Sequence, residues 1–245
     1  MQLMFGSGVL WGVSTTVPNP TPIRFGVLQE VSVDISYTTK ALIGQNQFPV
    51  DIARGGGKVT GKAKFARFNG LTVNQLFFGL SASAGQLLTA LNEAHAVPAT
   101  PFQVTIAPPS SGTFLQDLGV VNATTGIPLT LVASAPSTGQ YSVAGPVYTF
   151  AAADTGINML FSYSYTTSSG GNSLTMSNQL LGFTPTFKMI LSAPFRSKQM
   201  TLVLNQCVAS KLTMATKLED YMIPEFDFEA FTDAAENLGV LSMAE

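Results

Sequence analysis

Within Val27–Tyr37 the chain alternates apolar and polar residues one by one from Glu30 onward. Val31, Val33, Ile35 and Tyr37 fall on one side; Ser32, Asp34 and Ser36 fall on the other. A β-strand, whose side chains point to opposite faces with a period of two, keeps such a pattern in register with a core, and a helix does not. The alternation returns over Lys58–Phe68, with Lys58, Thr60, Lys62 and Lys64 on one face and Val59, Ala63 and Phe65 on the other. It returns again where Phe226 and Phe228 interleave with Glu225, Asp227 and Glu229. Thr184–Ser192, Met200–Val208 and Ser210–Lys217 carry further strand signals, the first two separated by Pro194–Lys198. The chain is therefore predicted to be mainly β.

Other segments punctuate these strands. Residues 1–26 contain prolines 18, 20 and 22 and read as an extended arm anchored by Trp11. Lys40–Gly57 holds Pro49 and the run Gly55-Gly56-Gly57, and reads as a long, glycine-hinged connection. Leu71–Phe78 followed by Gly79 suits a short helix with a glycine stop, and Leu87, Leu88, Leu91 and Ala94 extend helical spacing over 84–95. From Val97 the character changes. Short β-like runs at Phe102–Ile106, Leu129–Ala133, Val147–Ala152 and Ile157–Thr166 are set apart by turn signals such as Asp154-Thr155-Gly156. We read an inserted β-sandwich module at 97–178. It divides a host domain into a first part, 1–96, and a second part, 179–245, that ends in a C-terminal arm.

Composition adds one constraint. Charged residues make up 11% of the 245-residue chain and hydrophobic residues 46%, against about 25% charged in an ordinary soluble domain. A surface this poor in charge fits extensive contact between subunits. Membrane insertion is the other route to low charge. The uncharged stretch Phe68–Asn92 is broken by asparagine, glutamine, serine and glycine and is a poor spanning helix. No basic region followed by an apolar block marks a secretory signal, so the Asn122-Ala-Thr124 acceptor pattern reads as chance. Charge is unevenly spread. Five of the twelve basic residues lie between Arg54 and Arg67, eight of the fourteen acidic ones between Glu219 and Glu245, and no Lys or Arg occurs from Phe68 to Phe187.

The chain offers little for catalysis. It has one histidine, His95, and one cysteine, Cys207, so neither a His/Cys zinc site nor an internal disulfide can be built. No Gly-x-Ser-x-Gly elbow is present. Gly55-Gly56-Gly57-Lys58 misses a phosphate-binding loop at Ile52, where a glycine is needed, and at Val59, where Ser or Thr is needed. The carboxylates at 225, 227 and 229 lack the loop glycine of a calcium site. Arg54–Arg67 has little aromatic interleaving for a nucleic-acid patch, and the acidic C-terminal segment is its natural counter-charge, in the same chain or the next. These features predict a non-enzyme without metal or cofactor.

Several segments in order resemble one family: Phe25–Asp34, Lys40–Val50, Ala53–Gly55, Lys58–Lys64 and Asn74–Gly79, then Gly139–Val143, Tyr148–Asp154, Ser177–Gly182 and Pro224–Phe231. Together they are similar to the major tail tube protein of long-tailed double-stranded DNA bacteriophages. The resemblance implies a β-sandwich or partial barrel with one flanking helix. It implies a virion structural protein, made in the host cytoplasm, whose hexameric rings stack by self-assembly into the viral tail and its genome-ejection conduit. Its implied partners are copies of itself, tail tip or baseplate and tail terminator proteins, a tape-measure protein in the lumen, and double-stranded DNA in transit. The long connection would reach between rings or subunits, and the inserted module would sit outside.

A DNA conduit should not hold phosphate tightly. We therefore expect an acidic bore, with Asp34, Glu225, Asp227 and Glu229 as lining candidates. Phe48, Pro49, Arg54, Lys58, Lys62 and Lys64 are the candidates for subunit contacts, pointing elsewhere. Two other readings remain open: the inner tube of a contractile injection system, and a virion decoration or adhesin protein that grips host glycan through the 97–178 module.

Overall fold

The computed structural model describes residues 5–67, 70, 74–80 and 82–244. Along the chain come β1 (Val9–Ser14), β2 (Ile23–Arg24), β3 (Gly26–Ile43) and β4 (Pro49–Arg67), then one helical turn at Asn74–Phe78. Next are β5 (Ala82–Ala96), β6 (Gln103–Thr105), β7 (Thr113–Asn122), β8 (Thr130–Leu131), β9 (Gln140–Ala144), β10 (Val147–Phe150) and β11 (Asn158–Leu174). The chain closes with β12 (Thr186–Phe195), β13 (Lys198–Thr213), β14 (Glu225–Phe231) and β15 (Gly239–Met243). The fold is mainly β, as the alternation predicts. It divides into two compact units, one of Ala82–Ser173 and one of Met1–Ser81 with Leu174–Glu245.

The discontinuous unit is built on one antiparallel sheet in the order β2-β1-β12-β13-β14-β4-β3, with β15 paired to the first part of β13. The two end strands of that order, β2 and β3, are separated in the chain only by Phe25. The sheet must therefore roll so that its ends meet, and Phe25 sits at the seam. Its amide donates to the Leu10 carbonyl, and its ring lies 5.1 Å from that of Phe65 and 5.8 Å from that of Phe226. The result is a partial barrel, without complete closure among the described residues. Its concave face carries the core, including Leu10, Val59, Ala63, Phe187, Met189 and Phe228. The alternation in Lys58–Phe65 places Val59, Ala63 and Phe65 inside, as expected, and Phe68 lies outside the described residues. Gly61 belongs to the same inward set, where the Phe228 ring covers it so closely that a β-carbon would collide with it.

Residues 71–73 of the expected helix 71–78 lie outside the described residues; Asn74–Phe78 forms one turn, closed by Gly79 at φ 61°. Leu76 from this turn fills the space above Gly12 in the core. Three expectations are corrected. The N-terminal arm is strand β1 over Val9–Ser14, laid antiparallel against β12 (residues 1–4 lie outside the described residues). The C-terminal arm contains β15, which uses the edge of β13 that β14 leaves open. Lys40–Gly57 is not a single long loop: it is the last four residues of β3, a short loop at 44–48, and the first half of β4.

The second unit is a small sandwich of a four-stranded sheet, β6-β10-β9-β8, over a three-stranded one, β5-β11-β7. Tyr148, Phe150, Met159, Phe161 and Tyr163 fill the space between. It starts at Ala82 rather than 97 and ends at Ser173 rather than 178, because 82–96 is a strand and not a helix. Leu87 and Leu91, which helical spacing would bury together, both remain exposed. Burial instead falls on every second residue, and Asn92, at φ 55°, shifts the phase. Pairing with β11 overrides the helical propensity of this alanine- and leucine-rich segment.

Candidate assembly surfaces

The outer face of the partial barrel is polar where β3, β4, β14 and β13 lie side by side. Cross-strand register sets its rows. Glu30, Lys64, Glu225 and Thr213 form one; Ser32, Lys62, Asp227 and Lys211 the next; Asp34, Thr60, Glu229 and Val208 the third. Lys58 opens a fourth beside Ser36. Opposed charges meet across the strands. Lys62 Nζ donates to Glu225 at 2.6 Å and stands 3.9 Å from Asp227; Lys64 Nζ donates to Glu30 at 2.6 Å; Lys58 Nζ is 3.0 Å from Glu229. Hydrogen bonding to Glu225 raises the Lys62 pKa, hydrogen bonding to Glu30 raises that of Lys64, and the Lys62 bond holds Glu225 below the ordinary carboxylate value. A cleft of about 270 Å³ on this face is lined by Ser32, Asp34, Thr60, Lys62, Asp227 and Glu229 among others.

This geometry corrects one expectation. The lysines at 58, 62 and 64 and the carboxylates at 34, 225, 227 and 229 do not point to different surfaces. They share one face, because β4 lies between β3 and β14 with all even-numbered lysines and odd-numbered C-terminal carboxylates in matching rows. The counter-charge of the basic cluster is in the same chain. Glu30, which completes the Lys64 pair, was legible only as part of the alternating strand.

The second surface is the ribbon. β14 pairs with β4 only as far as Val59, so from Lys58 outward β3 and β4 have no other strand against them among the described residues. At about 3.4 Å per residue the free portion reaches roughly 30 Å. It keeps the alternation of the sheet. Tyr37, Ala41, Ile43, Val50 and Ile52 continue the core face, whereas Thr38, Lys40 and Asp51 continue the polar one. Among the described residues no core covers that apolar side: Ile43 is 67% exposed, Val50 74% and Ile52 61%, and Phe48 at the tip is 80% exposed. A pairing shift between Tyr37 and Thr39 interrupts the ribbon opposite the glycine run. There the Tyr37 ring packs close to Gly57 and receives the Arg54 guanidinium 4.7 Å from its centroid. Of the sequence candidates, Phe48, Pro49 and Arg54 thus lie on the ribbon, and Lys58, Lys62 and Lys64 on the barrel face. The alternation Val50-Asp51-Ile52 carried the signal for the rest of the ribbon, and the adjacent glycines obscured it.

At the base of the ribbon, where β14 parts from β4, an open and largely apolar groove of about 380 Å³ lies between Ile35, Tyr37, Val59, Phe231 and Leu238. In the barrel sheet the outer edges of β2, β3 and β15 are also unpaired among the described residues.

The reactive side chains are occupied structurally. Burial pushes the Cys207 thiol up to about 12, against a weaker opposing hydrogen bond with the Met189 backbone. His95 Nε2 is 2.6 Å from Glu93 Oε1, and its ring meets the edge of Phe161. Among the described residues no three His, Cys, Asp or Glu side chains converge as metal ligands, and no helix is long and apolar enough to cross a membrane. No protein-family model and no curated protein matches this chain.

Proposed function

We propose that this chain is a structural subunit that assembles with copies of itself into the tail tube of a long-tailed double-stranded DNA phage. The observation that carries the reading is the ribbon. A two-stranded ribbon is at best marginally stable alone in water, and this one exposes an apolar stripe for roughly 30 Å. It has the pattern of a half-buried sheet without the other half. A second copy supplies that half: the ribbon lies across a neighbour, and the groove at its base receives apolar side chains from another. Such a contact joins different patches on the two copies, so it propagates into rings and stacks rather than stopping at a dimer. The open edges of β3 and β15 are capped by neighbouring strands in the ring, which also removes their aggregation hazard. Six subunits per ring follows from the family resemblance.

The rolled sheet then turns its polar face to the bore, through which DNA passes on ejection. Negative-stain microscopy of the purified full chain over a range of concentrations tests the proposal. Rings that stack into tubes are expected. A monodisperse monomer at every concentration and salt overturns it.

A further inference from the structure

The lysines of the polar face raise a question that the tube reading alone leaves open. Lysine on a conduit wall should grip phosphate and slow the duplex, since each lysine–phosphate contact adds affinity by releasing counterions. Yet the middle strand of this face, β4, presents Lys58, Lys62 and Lys64, and β13 adds Lys211.

We propose that this face is a self-masked lysine surface: carboxylates on β3 and β14 hold the β4 ammonium groups, so that a nucleic-acid duplex moves over it without being retained. The masking chemistry stands on the distances; that the face meets DNA rests on the tube reading. β4 is flanked by acid on both sides. Lys64 is held by Glu30 of β3, and Lys62 by Glu225 and Lys58 by Glu229 of β14, at 2.6, 2.6 and 3.0 Å. Lys211 stands opposite Asp227 in the register. Asp34, with no cation within ion-pair distance among the described residues, tips the balance to five carboxylates against four ammonium groups. A phosphate that approaches Lys62 or Lys64 meets a carboxylate already at the same nitrogen. It must displace that carboxylate and then face its charge, and no mobile counterion is released in exchange.

The arrangement also explains why the lysines are there. Carboxylates alone on three adjacent strands would repel across the sheet and weaken the pairing of β4 with its neighbours. Lysine in the middle strand removes that repulsion and specifies the register, because a slip of one residue would turn the ammonium groups into the core. Sheet stability demands the cations, and free passage of a polyanion demands that they stay covered.

The test uses the full chain carrying Glu30→Gln, Glu225→Gln and Glu229→Gln together, and a fluorescent 30-base-pair duplex followed by anisotropy. The wild type is expected to show no saturable binding at 50 mM salt. The triple variant is expected to bind, and, with about three phosphates engaged, to weaken about 40-fold between 50 and 200 mM salt. Adding Lys58→Gln, Lys62→Gln and Lys64→Gln to it should return the behaviour to wild type. If the triple variant does not fold by circular dichroism, Glu229→Gln alone frees Lys58, and its binding should follow salt with a slope near one. Absence of any gain in a folded variant overturns the proposal, as does a wild type that binds with the same salt slope. Microscopy of the same samples separates the two readings. A gain of binding by subunits that never form rings keeps the masking and removes the conduit; rings without a gain do the reverse.

Discussion

Substitution of Ile52 by aspartate should prevent assembly while leaving the subunit folded. Ile52 lies on the apolar side of the ribbon, opposite Ala41, and 61% of its surface is exposed in the single chain. Full burial of such a side chain is worth about 1.5–3 kcal/mol, so a neighbour that covers Ile52 gains about 1–2 kcal/mol from it. Aspartate forfeits this and adds the desolvation of a carboxylate with no partner, which costs a further few kcal/mol. At 1.4 kcal/mol per factor of ten, the critical concentration for tube formation should rise at least a hundredfold. Ala53→Asp is the internal control, because position 53 faces the polar side one residue away. It should shift the critical concentration by less than about threefold, a surface change worth about 0.5 kcal/mol. Sedimentation velocity over a concentration series reads the assembly, and thermal unfolding reads the fold. Both variants should melt as the wild type does, because neither side chain belongs to the core cluster. Equal effects at 52 and 53, or none at either, would refute the idea that the ribbon's apolar side is the contact.

Three further outcomes follow from the interior. Asp117 accepts hydrogen bonds from the Tyr141 and Tyr148 hydroxyls, the latter at 2.9 Å, and both tyrosines are buried; Asp117→Ala should destabilise the inserted unit by about 2–6 kcal/mol in urea unfolding, since each orphaned phenol costs about 1–3. Burial, with the nearby Asp117 or Glu93 carboxylate, pushes the pKa values of Tyr141, Tyr148 and Tyr163 well above the ordinary phenol. These raised values make the stabilisation complete below the unfolded phenol pKa of about 10 and lost as pH rises past it, so stability should fall only above that pH, and absorbance at 295 nm should show three of the six tyrosines ionising together with unfolding. Gly61→Ala drives a β-carbon into the Phe228 ring and should cost about 1–3 kcal/mol of stability; an unchanged denaturation midpoint would mean that the ring has room to turn.

The strands that face the barrel core were legible because burial on one side writes itself into every second residue. Val59, Ala63 and Phe65, or Phe226 and Phe228, needed no other information. The failures share a cause: they lie where pairing, not local preference, decides. Ala82–Ala96 has the composition of a helix, and only its neighbour β11 makes it a strand. Lys40–Gly57 was obscured by three glycines that local rules assign to a hinge, whereas in the structure Gly57 seats Tyr37 and the pairing shifts register beside the run. The charged residues were legible as opposite clusters, but not as one face, because that requires knowing that residues 58–64 and 225–230 are adjacent strands. Chain proximity carries no trace of a contact between segments so far apart.

The inserted unit is joined to the rest of the chain through two strands that lie next to each other. β5 begins it and β11 ends it, hydrogen-bonded as neighbours, and near its limits Ser83 reaches Ser173. The chain thus leaves and returns at one point, and no strand of this unit pairs with the barrel sheet among the described residues. For the barrel, the whole unit is equivalent to a hairpin turn. Closing a loop becomes more costly only slowly with its length, so the site tolerates a cargo of almost any size. A short turn, a different binding domain or a reporter protein could take the place of Ala82–Ser173 with the sheet order unchanged, which makes this neck the natural point at which to graft a display scaffold.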